Sequence, residues 1–359
     1  HNNISFVDCD SIFSIQPIPD SSTIFLLGGG DVLNHYFLTK LNDYYETTFL
    51  DSRPRPICIA FSVGIPYNDI FLQSEHIEKL RIFEDIFLRT HQDIENLEKH
   101  LALYKIPTRV HYLPDVSCML KNVSSLSQSS SSSSPPTTTK LTEFYKIIKK
   151  MHPKRRMIGI MLSRHIYHPD SKYQLRYHEI LYEISKLIEQ LVQRKCFIIL
   201  VPMNTKPGSN QENDTFIQQD LYDKLRVLTK RYVYNICHEL SIHEIMELYK
   251  LFYMTIPMRF HATLFSVYHQ VPMIPIYSTK KIENFLLDIQ WKHHCRMEKD
   301  ERDIPIRLNR YDILNIFDEL SNPNKYIESK KRMNIIYSYM KANVEQKRSE
   351  EHTSELQSH

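Results

Sequence analysis

The stretch that decides the fold is Tyr253-Met254-Thr255-Ile256-Pro257-Met258-Arg259-Phe260-His261-Ala262-Thr263-Leu264-Phe265-Ser266-Val267-Tyr268. Its first part, Tyr253 to Met258, is apolar and predicts a buried strand, whereas Ala262 to Tyr268 follows a helical pattern. In open α/β sheets ligands bind beyond the carboxyl ends of the strands, and free N–H groups at a helix start favour anions. Because Arg259 and His261 lie at this junction, the stretch predicts an α/β fold with a functional site there.

The segment that follows adds positive charge at a second strand end. Val271 to Tyr277 is apolar and predicts another buried strand, which is followed by Ser278, Thr279, Lys280 and Lys281. Consecutive parallel strands bring their carboxyl ends to one edge of a sheet. We therefore expect the two lysines to lie on the same side of the sheet as Arg259.

The same alternation of strands and helices extends outward in both directions. Apolar runs predict strands, and they lie at Thr23 to Leu27, Ile57 to Val63, Val110 to Leu113, Met157 to Leu162 and Cys196 to Pro202. Helical patterns lie at Val32 to Leu41, Glu84 to Leu103, Tyr177 to Arg194, Ile242 to Phe252 and Tyr311 to Val344. This β–α alternation predicts two mostly parallel sheets with covered faces.

A Ser/Pro/Thr-rich tract divides the chain, because its composition cannot bury apolar surface. The predicted parts are an N-terminal α/β domain (1–123, expected to be truncated at its start), a flexible insertion or linker (124–140), a C-terminal α/β domain (141–300), C-terminal helices (301–347) and a tail (348–359). The tail resembles the translation of a sequencing adapter, so it is excluded from the prediction of the fold.

Composition excludes several classes of protein. The apolar content is 42%, the charged content is 24%, and the net charge of +3 is spread along the chain without a basic stripe. We therefore expect no nucleic-acid partner. The six cysteines show no Cys-x-x-Cys spacing, which argues against zinc and against a disulfide framework. No apolar run is long enough to span a membrane, and a cytoplasmic location is expected unless a missing N-terminal segment carries a targeting signal.

Three consecutive glycines, Gly28, Gly29 and Gly30, follow the first predicted strand and precede Asp31. Glycine lets a backbone approach a ligand closely, and the next helix start favours an anion. The later glycine of a dinucleotide-binding fingerprint is missing. On spacing alone, a ligand-binding turn and a tight turn that packs a helix onto the sheet remain equally open.

The segment from Arg259 to Lys281 resembles the C-terminal signature of the polysaccharide pyruvyl transferase family, which reads Arg-apolar-His, a small-residue helix, Val-Pro, an apolar strand, Tyr and Lys. Gln270 stands where that family often has glycine, and Lys280 and Lys281 compete for its single lysine position. Further similarities follow in the family's order, and they are Gly28 to Gly30, Ile57 to Gly64, Leu88-Arg89 before Asp93, and Pro114-Asp115. The resemblance covers most of Ile24 to Leu287.

This resemblance implies two Rossmann-like domains facing a cleft, as in the GT-B glycosyltransferase architecture. It also implies transfer of enolpyruvyl from phosphoenolpyruvate to a saccharide, with no metal and no tightly bound cofactor. Arg259 is assigned to the phosphoenolpyruvate anion and His261 to acid or base catalysis. The further substrate-binding residues that it implies are Arg164, Lys280, Lys281, Gly28, Gly29, Gly30 and Asp31, and either Asp214 or Asp220 corresponds to a family aspartate.

Two other functions remain open from the sequence. One is a GT-B-type glycosyltransferase that uses a nucleotide sugar, and the other is a catalytically silent carbohydrate-binding homologue. Histidines 165, 168, 293 and 294 are interpreted as surface or loop residues, because their spacing matches no metal site. The oligomeric state is not predicted.

Overall fold

The protein is represented by a computed structural model that describes residues 24–49, 56–66, 74–119, 147–205, 213–302 and 304–357, with side chains described up to residue 347. The chain divides into two compact units. Unit 1 comprises His1–Ser117 and Ala342–His359, and unit 2 comprises Cys118–Lys341. The predicted linker at 124–140 lies outside the described residues.

Unit 1 contains a four-stranded parallel sheet in the order β1-β2-β3-β4. The strands are β1 (Ile24–Gly28), β2 (Ile57–Val63), β3 (Asp85–Leu88) and β4 (Arg109–Tyr112). The helices are α1 (His35–Phe49), α2 (Ser74–Glu78) and α3 (His91–Leu103), with 3₁₀ turns at Lys79–Ile82 and Val116–Met119. The strands predicted from the sequence in this half are confirmed.

The predicted helix from Glu84 to Leu103 is wrong in its first part, which forms β3. Ile86 and Leu88 are fully buried on one face of the strand, so their spacing of two reflects a sheet rather than a helix. The helix α3 begins only at His91, where the hydroxyl of Thr90 accepts a hydrogen bond from the backbone N–H of Asp93 at 3.4 Å. The strand has only four residues and lies close to the helix in sequence, so its apolar residues fit the helical pattern that the sequence predicts for the whole segment.

Unit 2 contains a second parallel four-stranded sheet in the order β7-β6-β5-β8. The strands are β5 (Arg156–Met161), β6 (Cys196–Leu200), β7 (Val233–Asn235) and β8 (Met254–Pro257), followed by the short strands β9 (Ile276–Tyr277), β10 (Cys295–Arg296), β11 (Glu298–Lys299) and β12 (Pro305–Arg307). The order of β5, β6 and β8 places the ends of β5 and β8 side by side.

The helices of unit 2 connect and cover these strands. They are α4 (Gln174–Gln193), α5 (Asp214–Lys224), α6 (Val227–Lys230), α7 (Ile242–Tyr249), α8 (Phe260–Tyr268), α9 (Lys280–Asp288), α10 (Arg310–Leu320) and α11 (Pro323–Gln357), of which α11 runs on into unit 1. Residues 147–151 are also helical, and 3₁₀ turns lie at Arg164–Ile166 and Ser171–Tyr173. The stripe of α4 that contains Ile180, Ile184 and Leu187 is buried in the core.

The predicted strand from Val271 to Tyr277 is wrong in its length. The backbone runs beside β8 only briefly, where Thr255 N–H donates to the Pro272 carbonyl at 3.0 Å and Ile274 N–H donates to the Thr255 carbonyl at 2.9 Å. Pro272 and Pro275 have no N–H group to continue the ladder. Only Ile276–Tyr277 then forms a strand, and it pairs with β10 rather than with β8.

The sequence also gave no prediction of β7 or of β10, β11 and β12. Each of these strands has two or three residues, which is too short for an alternating pattern to be recognised. Within the described residues, no helix is long and apolar enough to cross a membrane.

Candidate anion-binding site

Asp214 is the centre of a polar cluster in unit 2. Its carboxylate is fully buried at the start of α5 and accepts hydrogen bonds from the backbone N–H groups of Arg164 (3.1 Å), Met203 (3.3 Å) and Asn204 (3.0 Å). The Arg259 guanidinium donates to both carboxylate oxygens, from Nη2 at 2.6 Å and from Nε at 3.1 Å. The cluster therefore ties together three loops that follow β5, β6 and β8.

In each of these hydrogen bonds the Asp214 carboxylate is the acceptor, as suits an ionised carboxyl group. Burial raises the pKa of this carboxyl, and the Arg259 guanidinium and the backbone N–H groups of Arg164 and Asn204 oppose that shift. Asp220, in contrast, is exposed and accepts a hydrogen bond from the Tyr177 hydroxyl at 2.6 Å. Of the two aspartates left open by the sequence, only Asp214 pairs with Arg259.

Arg259 is positioned by the strand-to-helix junction that the sequence predicts. It is the N-cap residue of α8, with an extended backbone (φ −107°, ψ 144°), and its carbonyl accepts a hydrogen bond from Thr263 N–H at 3.0 Å. Its side chain contacts Asp214 through Nε and Nη2, and it is 28% exposed. The guanidinium therefore combines a fixed orientation with an accessible surface, and a planar fork of this kind suits a carboxylate or a phosphate.

Arg164 lies at the neighbouring strand end with a nearly buried side chain. The residue is 8% exposed, and its guanidinium carbon lies 4.2 Å from the Tyr167 ring centroid and 5.3 Å from that of Phe216. Its Nε is buried, and no residue that the structure describes forms a hydrogen bond with it. A buried cation on aromatic rings with an unsatisfied donor is suited to pairing with an anion.

His261 and the two lysines occupy the first turns of α8 and α9. His261 is exposed, and its ring lies 5.7 Å from the ring of the neighbouring Phe260. The Lys281 ammonium is 4.3 Å from the centroid of Phe260, whereas Lys280 is an exposed residue at the start of the helix. The geometry thus places Lys281 against the Arg-Phe-His segment, and the roles predicted for His261 and the lysines remain predictions.

His165 is linked to two strand ends by both ring nitrogens, which the sequence did not reveal. Nδ1 lies 2.6 Å from the Ser163 hydroxyl, after β5, and Nε2 lies 2.9 Å from the Ser278 hydroxyl, after β9. The pKa of His165 is lowered to about 4, because the surrounding protein desolvates the ring and the cations of Arg259 and Lys299 oppose a further positive charge. Isolated serines carry no periodic signal, so sequence reasoning had no means to find this contact.

The other histidines that the sequence analysis considered have separate surroundings. His168 Nδ1 accepts a hydrogen bond from Asp170 N–H at 3.2 Å, and His293 Nε2 lies 3.3 Å from a Glu319 carboxylate oxygen. Across the described parts of the chain, no group of three or more His, Cys, Asp or Glu side chains is arranged to hold a metal ion.

A second polar cluster lies at the carboxyl ends of the strands of unit 1. The Arg89 side chain is only 3% exposed and donates to the Asp115 carboxylate at 3.1 Å, to the Gly30 carbonyl at 3.0 Å and to the Asp31 carboxylate. Gly64 lies directly against this cluster, since a Cβ added to it would be 2.5 Å from an Arg89 nitrogen. The separate sequence similarities of this half therefore converge on one buried arginine.

The three glycines form a tight turn at the same edge. Gly29 (φ +71°) and Gly30 (φ +83°) have the left-handed conformation that favours glycine. The backbone N–H of Gly64 donates to the Gly30 carbonyl at 3.0 Å, and α1 begins only at His35. The turn thus does not lead directly into the helix start, and a substrate-binding role for Gly28, Gly29, Gly30 and Asp31 remains a prediction.

The family model described as polysaccharide pyruvyl transferase matches residues 2–280. No curated protein matches the chain in sequence.

Solved structures match nearly the whole chain in fold. The Escherichia coli trehalose-6-phosphate structure bound with UDP-2-fluoro glucose has a TM-score of 0.59 at 11% identity, over 95% of this chain and 75% of that one. The α,α-trehalose-phosphate synthase (UDP-forming) from Burkholderia xenovorans in complex with glucose-6-phosphate has a TM-score of 0.58 at 11% identity, over 96% and 76%. These similar structures are GT-B glycosyltransferases, so the predicted GT-B-like α/β fold is confirmed.

Proposed function

Because the chain belongs to the polysaccharide pyruvyl transferase family, we propose that it transfers enolpyruvyl from phosphoenolpyruvate to two neighbouring hydroxyls of a saccharide, forming a cyclic ketal and releasing phosphate. The family and the fold both indicate a transferase. The observation that carries the donor assignment is the pairing of Arg259 with Asp214, whose carboxylate also accepts a hydrogen bond from the backbone N–H of the nearly buried Arg164. These two arginines give one edge of the sheet the charge that a carboxylate and a phosphate require.

The two arginines differ in the part of the anion that each one suits. Arg259 is oriented by Asp214 through Nε and Nη2, so the partly exposed side chain presents a preorganised cation to one charged group of phosphoenolpyruvate. Arg164 lies deeper, and its guanidinium is assigned to the other charged group or to a saccharide hydroxyl. Lys281, held over the Phe260 ring, is assigned a further anion contact, and Lys280 is the alternative residue for it.

The reaction has two bond-forming steps at C2 of the donor. In the first, an acceptor hydroxyl oxygen bonds to C2 while C3 takes a proton, so C2 becomes tetrahedral and still carries phosphate. The C2–O bond to phosphate then breaks, and the bonding pair leaves with the phosphate. In the second, the neighbouring hydroxyl bonds to the oxocarbenium-like C2 and loses its proton, which closes the ketal.

His261 is assigned to proton transfer in these steps. Its imidazole is exposed on the first turn of α8, two residues from Arg259, and imidazole exchanges protons near neutral pH. It donates the proton that C3 takes and recovers one from the first acceptor hydroxyl, and the proton of the second hydroxyl leaves with the phosphate. The cations stabilise the departing phosphate, and the scheme needs no metal and no tightly bound cofactor.

The test is phosphate release from phosphoenolpyruvate with a panel of saccharide acceptors. We expect release that depends on the acceptor and that falls at least roughly a hundredfold in Arg259→Ala and in His261→Ala. His243→Ala is the matched control, because His243 is an exposed histidine on α7 and its removal should leave the rate unchanged. Thermal unfolding of each variant checks that the loss is not a loss of folded protein.

Activity that survives both substitutions would contradict the site assignment. Turnover with nucleotide sugars and none with phosphoenolpyruvate would favour the glycosyltransferase alternative. Saccharide binding without turnover of either donor would favour the catalytically silent homologue.

A further inference from the structure

His165 presents an unusual combination of exposure and immobilisation. The residue is exposed, yet the two serines that contact its ring nitrogens are buried, Ser163 at 1% and Ser278 at 5% relative exposure. A hydroxyl on each nitrogen fixes the plane of the imidazole between the ends of β5 and β9. What remains accessible is therefore a ring face and a carbon edge rather than a nitrogen.

The surroundings also keep the ring uncharged. The protein around its two nitrogens desolvates them, and this desolvation, followed by the cations of Arg259 and Lys299, lowers its pKa to about 4. At neutral pH the imidazole is then a neutral aromatic ring with one N–H donor and one acceptor nitrogen, each used by a serine. A ring in this state is a poor proton acceptor and a good planar surface.

The ring lies at the same edge of the sheet as the proposed donor site. Ser163 and His165 follow β5, and Arg259 follows β8, which pairs with β5 in parallel. The Arg164 backbone N–H and the Arg259 side chain share the carboxylate of Asp214. His165 directly follows Arg164 in the chain. It is therefore one residue away from the backbone N–H that contacts Asp214, the partner of Arg259.

We propose that the exposed face of His165 is a stacking platform for the sugar ring of the saccharide acceptor, and this proposal rests on the proposed function. A pyranose has one face made of C–H groups, and packing that face on an aromatic ring removes apolar surface from water. The arginines attract the anionic donor. A neutral imidazole does not compete with them for that anion, so its face stays available to the acceptor. The platform would hold the acceptor hydroxyls beside C2 of the donor.

Two substitutions separate the ring from its nitrogens. His165→Phe keeps a planar aromatic ring and removes both nitrogens, whereas His165→Gln keeps polar hydrogen-bonding atoms and removes the ring. With the methyl glycosides of glucose, galactose and mannose as acceptors, we expect the glutamine variant to raise the acceptor KM about tenfold or more and the phenylalanine variant to raise it less than about threefold. The KM for phosphoenolpyruvate should change less than about twofold in both.

The reverse order would overturn the proposal. If the glutamine variant kept full activity and the phenylalanine variant lost it, the nitrogens rather than the ring face would carry the function. An acceptor KM that is unchanged in the glutamine variant would also overturn it. Ser278→Ala releases one nitrogen but keeps the ring, and we expect an increase in acceptor KM between those of the other two variants.

A measurement on the unmodified protein separates this proposal from the proposed function. The ¹H–¹³C signals of the His165 ring, assigned by their loss in His165→Gln, are followed while each methyl glycoside is added without donor. A shift of these signals supports the platform even if phosphoenolpyruvate is not turned over, which would be a failure of the proposed function alone. Saccharide binding that leaves these signals unmoved, or no binding of any of the three glycosides, overturns the platform.

Discussion

The two units each place an arginine–aspartate cluster at the carboxyl ends of a parallel sheet. The most deeply buried side chain is the arginine in unit 1 and the aspartate in unit 2. In unit 1 the Arg89 side chain is 3% exposed and lies between Asp115 and the more accessible Asp31. In unit 2 the Asp214 carboxylate is fully buried and Arg259 is the accessible partner. The more accessible charge is therefore the carboxylate of Asp31 in unit 1 and the guanidinium of Arg259 in unit 2.

The difference indicates different uses for the two arginines. Arg89 is enclosed by two carboxylates and a backbone carbonyl, so its donors serve to hold β1, β3 and the loop after β4 together. Arg259 pairs with Asp214 and keeps a side chain that is 28% exposed, and Arg164 follows the neighbouring strand β5. We therefore expect substitutions in the first cluster to act on stability and those in the second to act on activity.

The largest expected effect tests the structural cluster. Arg89→Met leaves Asp115 buried without its cation, and breaking a buried pair in this way costs about 3–5 kcal/mol in the free energy of unfolding. Arg109→Met is the control, because Arg109 also pairs with two carboxylates but is 60% exposed, and its loss should cost about 1 kcal/mol or less. Chemical denaturation of both variants gives the comparison, and equal losses would contradict the structural role of Arg89.

The next effect tests the anion site. Arg259→Lys keeps the charge but loses the fork that holds Asp214 and a ligand oxygen together, so we expect phosphate release to fall roughly a hundredfold, about 3 kcal/mol in transition-state stabilisation. Arg194→Lys alters a fork of the same geometry, with both bonds to Asp318 at 2.9 Å, on the surface. That control should retain its kcat/KM, and an equal loss in both variants would contradict the role of Arg259 in binding the anion.

Gly64→Ala probes how tightly unit 1 encloses Arg89. The new Cβ would lie 2.5 Å from Arg89 Nη2 and 2.6 Å from Asp31 Oδ1, and both atoms are held by their ion pair. We expect a loss of about 1–3 kcal/mol in the free energy of unfolding, as for other overpacked sites. Gly28→Ala is the comparison, since its Cβ would have no neighbour closer than 4.0 Å. Equal unfolding midpoints for the two variants would contradict tight packing of Gly64 against Arg89 and Asp31.

The sequence predicted those strands and site residues that belong to regular hydrophobic patterns or to the family's motif. Apolar runs identified the strands Ile57–Val63 and Met254–Pro257, and the Arg-Phe-His segment identified Arg259 at the end of the latter. Short strands were missed, because the three residues of Val233–Asn235 carry no period, and Asp85–Leu88 was merged with the helix beside it.

The partners of the site residues could not be predicted, because they depend on packing between distant parts of the chain. Asp214 and Asp220 both lie in one polar stretch, and only the fold shows that Asp214 faces Arg259, which is 45 residues away. Ser278 is 113 residues from His165, and no local pattern links a serine to an imidazole over that separation. Residue type indicated the chemistry, whereas tertiary packing decided which candidates meet.

A smaller effect distinguishes the two lysines of unit 2. Lys281 lies over the Phe260 ring in the Arg-Phe-His segment, so Lys281→Met should raise the KM for phosphoenolpyruvate about tenfold, or about 1.4 kcal/mol. Lys280→Met should change it less than about twofold, because Lys280 is more exposed and a surface charge is well screened. The opposite order would assign the family's lysine position to Lys280.

The smallest effect tests whether desolvation and the cations of unit 2 keep His165 uncharged. Its pKa is about 4 in the folded protein against 6.5 ordinarily, so the unfolded chain binds a proton here first as the pH falls. The stability that this difference contributes is therefore complete above pH 6.5 and is lost as the pH falls from 6.5 through 4. Because the residue is exposed, we expect only on the order of 1 kcal/mol.

Carboxylates titrate in the same range, so the measured quantity is the difference between the protein and His165→Gln in the free energy of unfolding across that range of pH. His243→Gln, on the surface of α7, gives the response of an ordinary histidine. A flatter profile for the His165 variant than for either reference supports a ring kept neutral by desolvation and by the cations of Arg259 and Lys299. Superimposable profiles would mean that His165 gains its proton as readily as a free histidine, and its surroundings would then not keep it neutral.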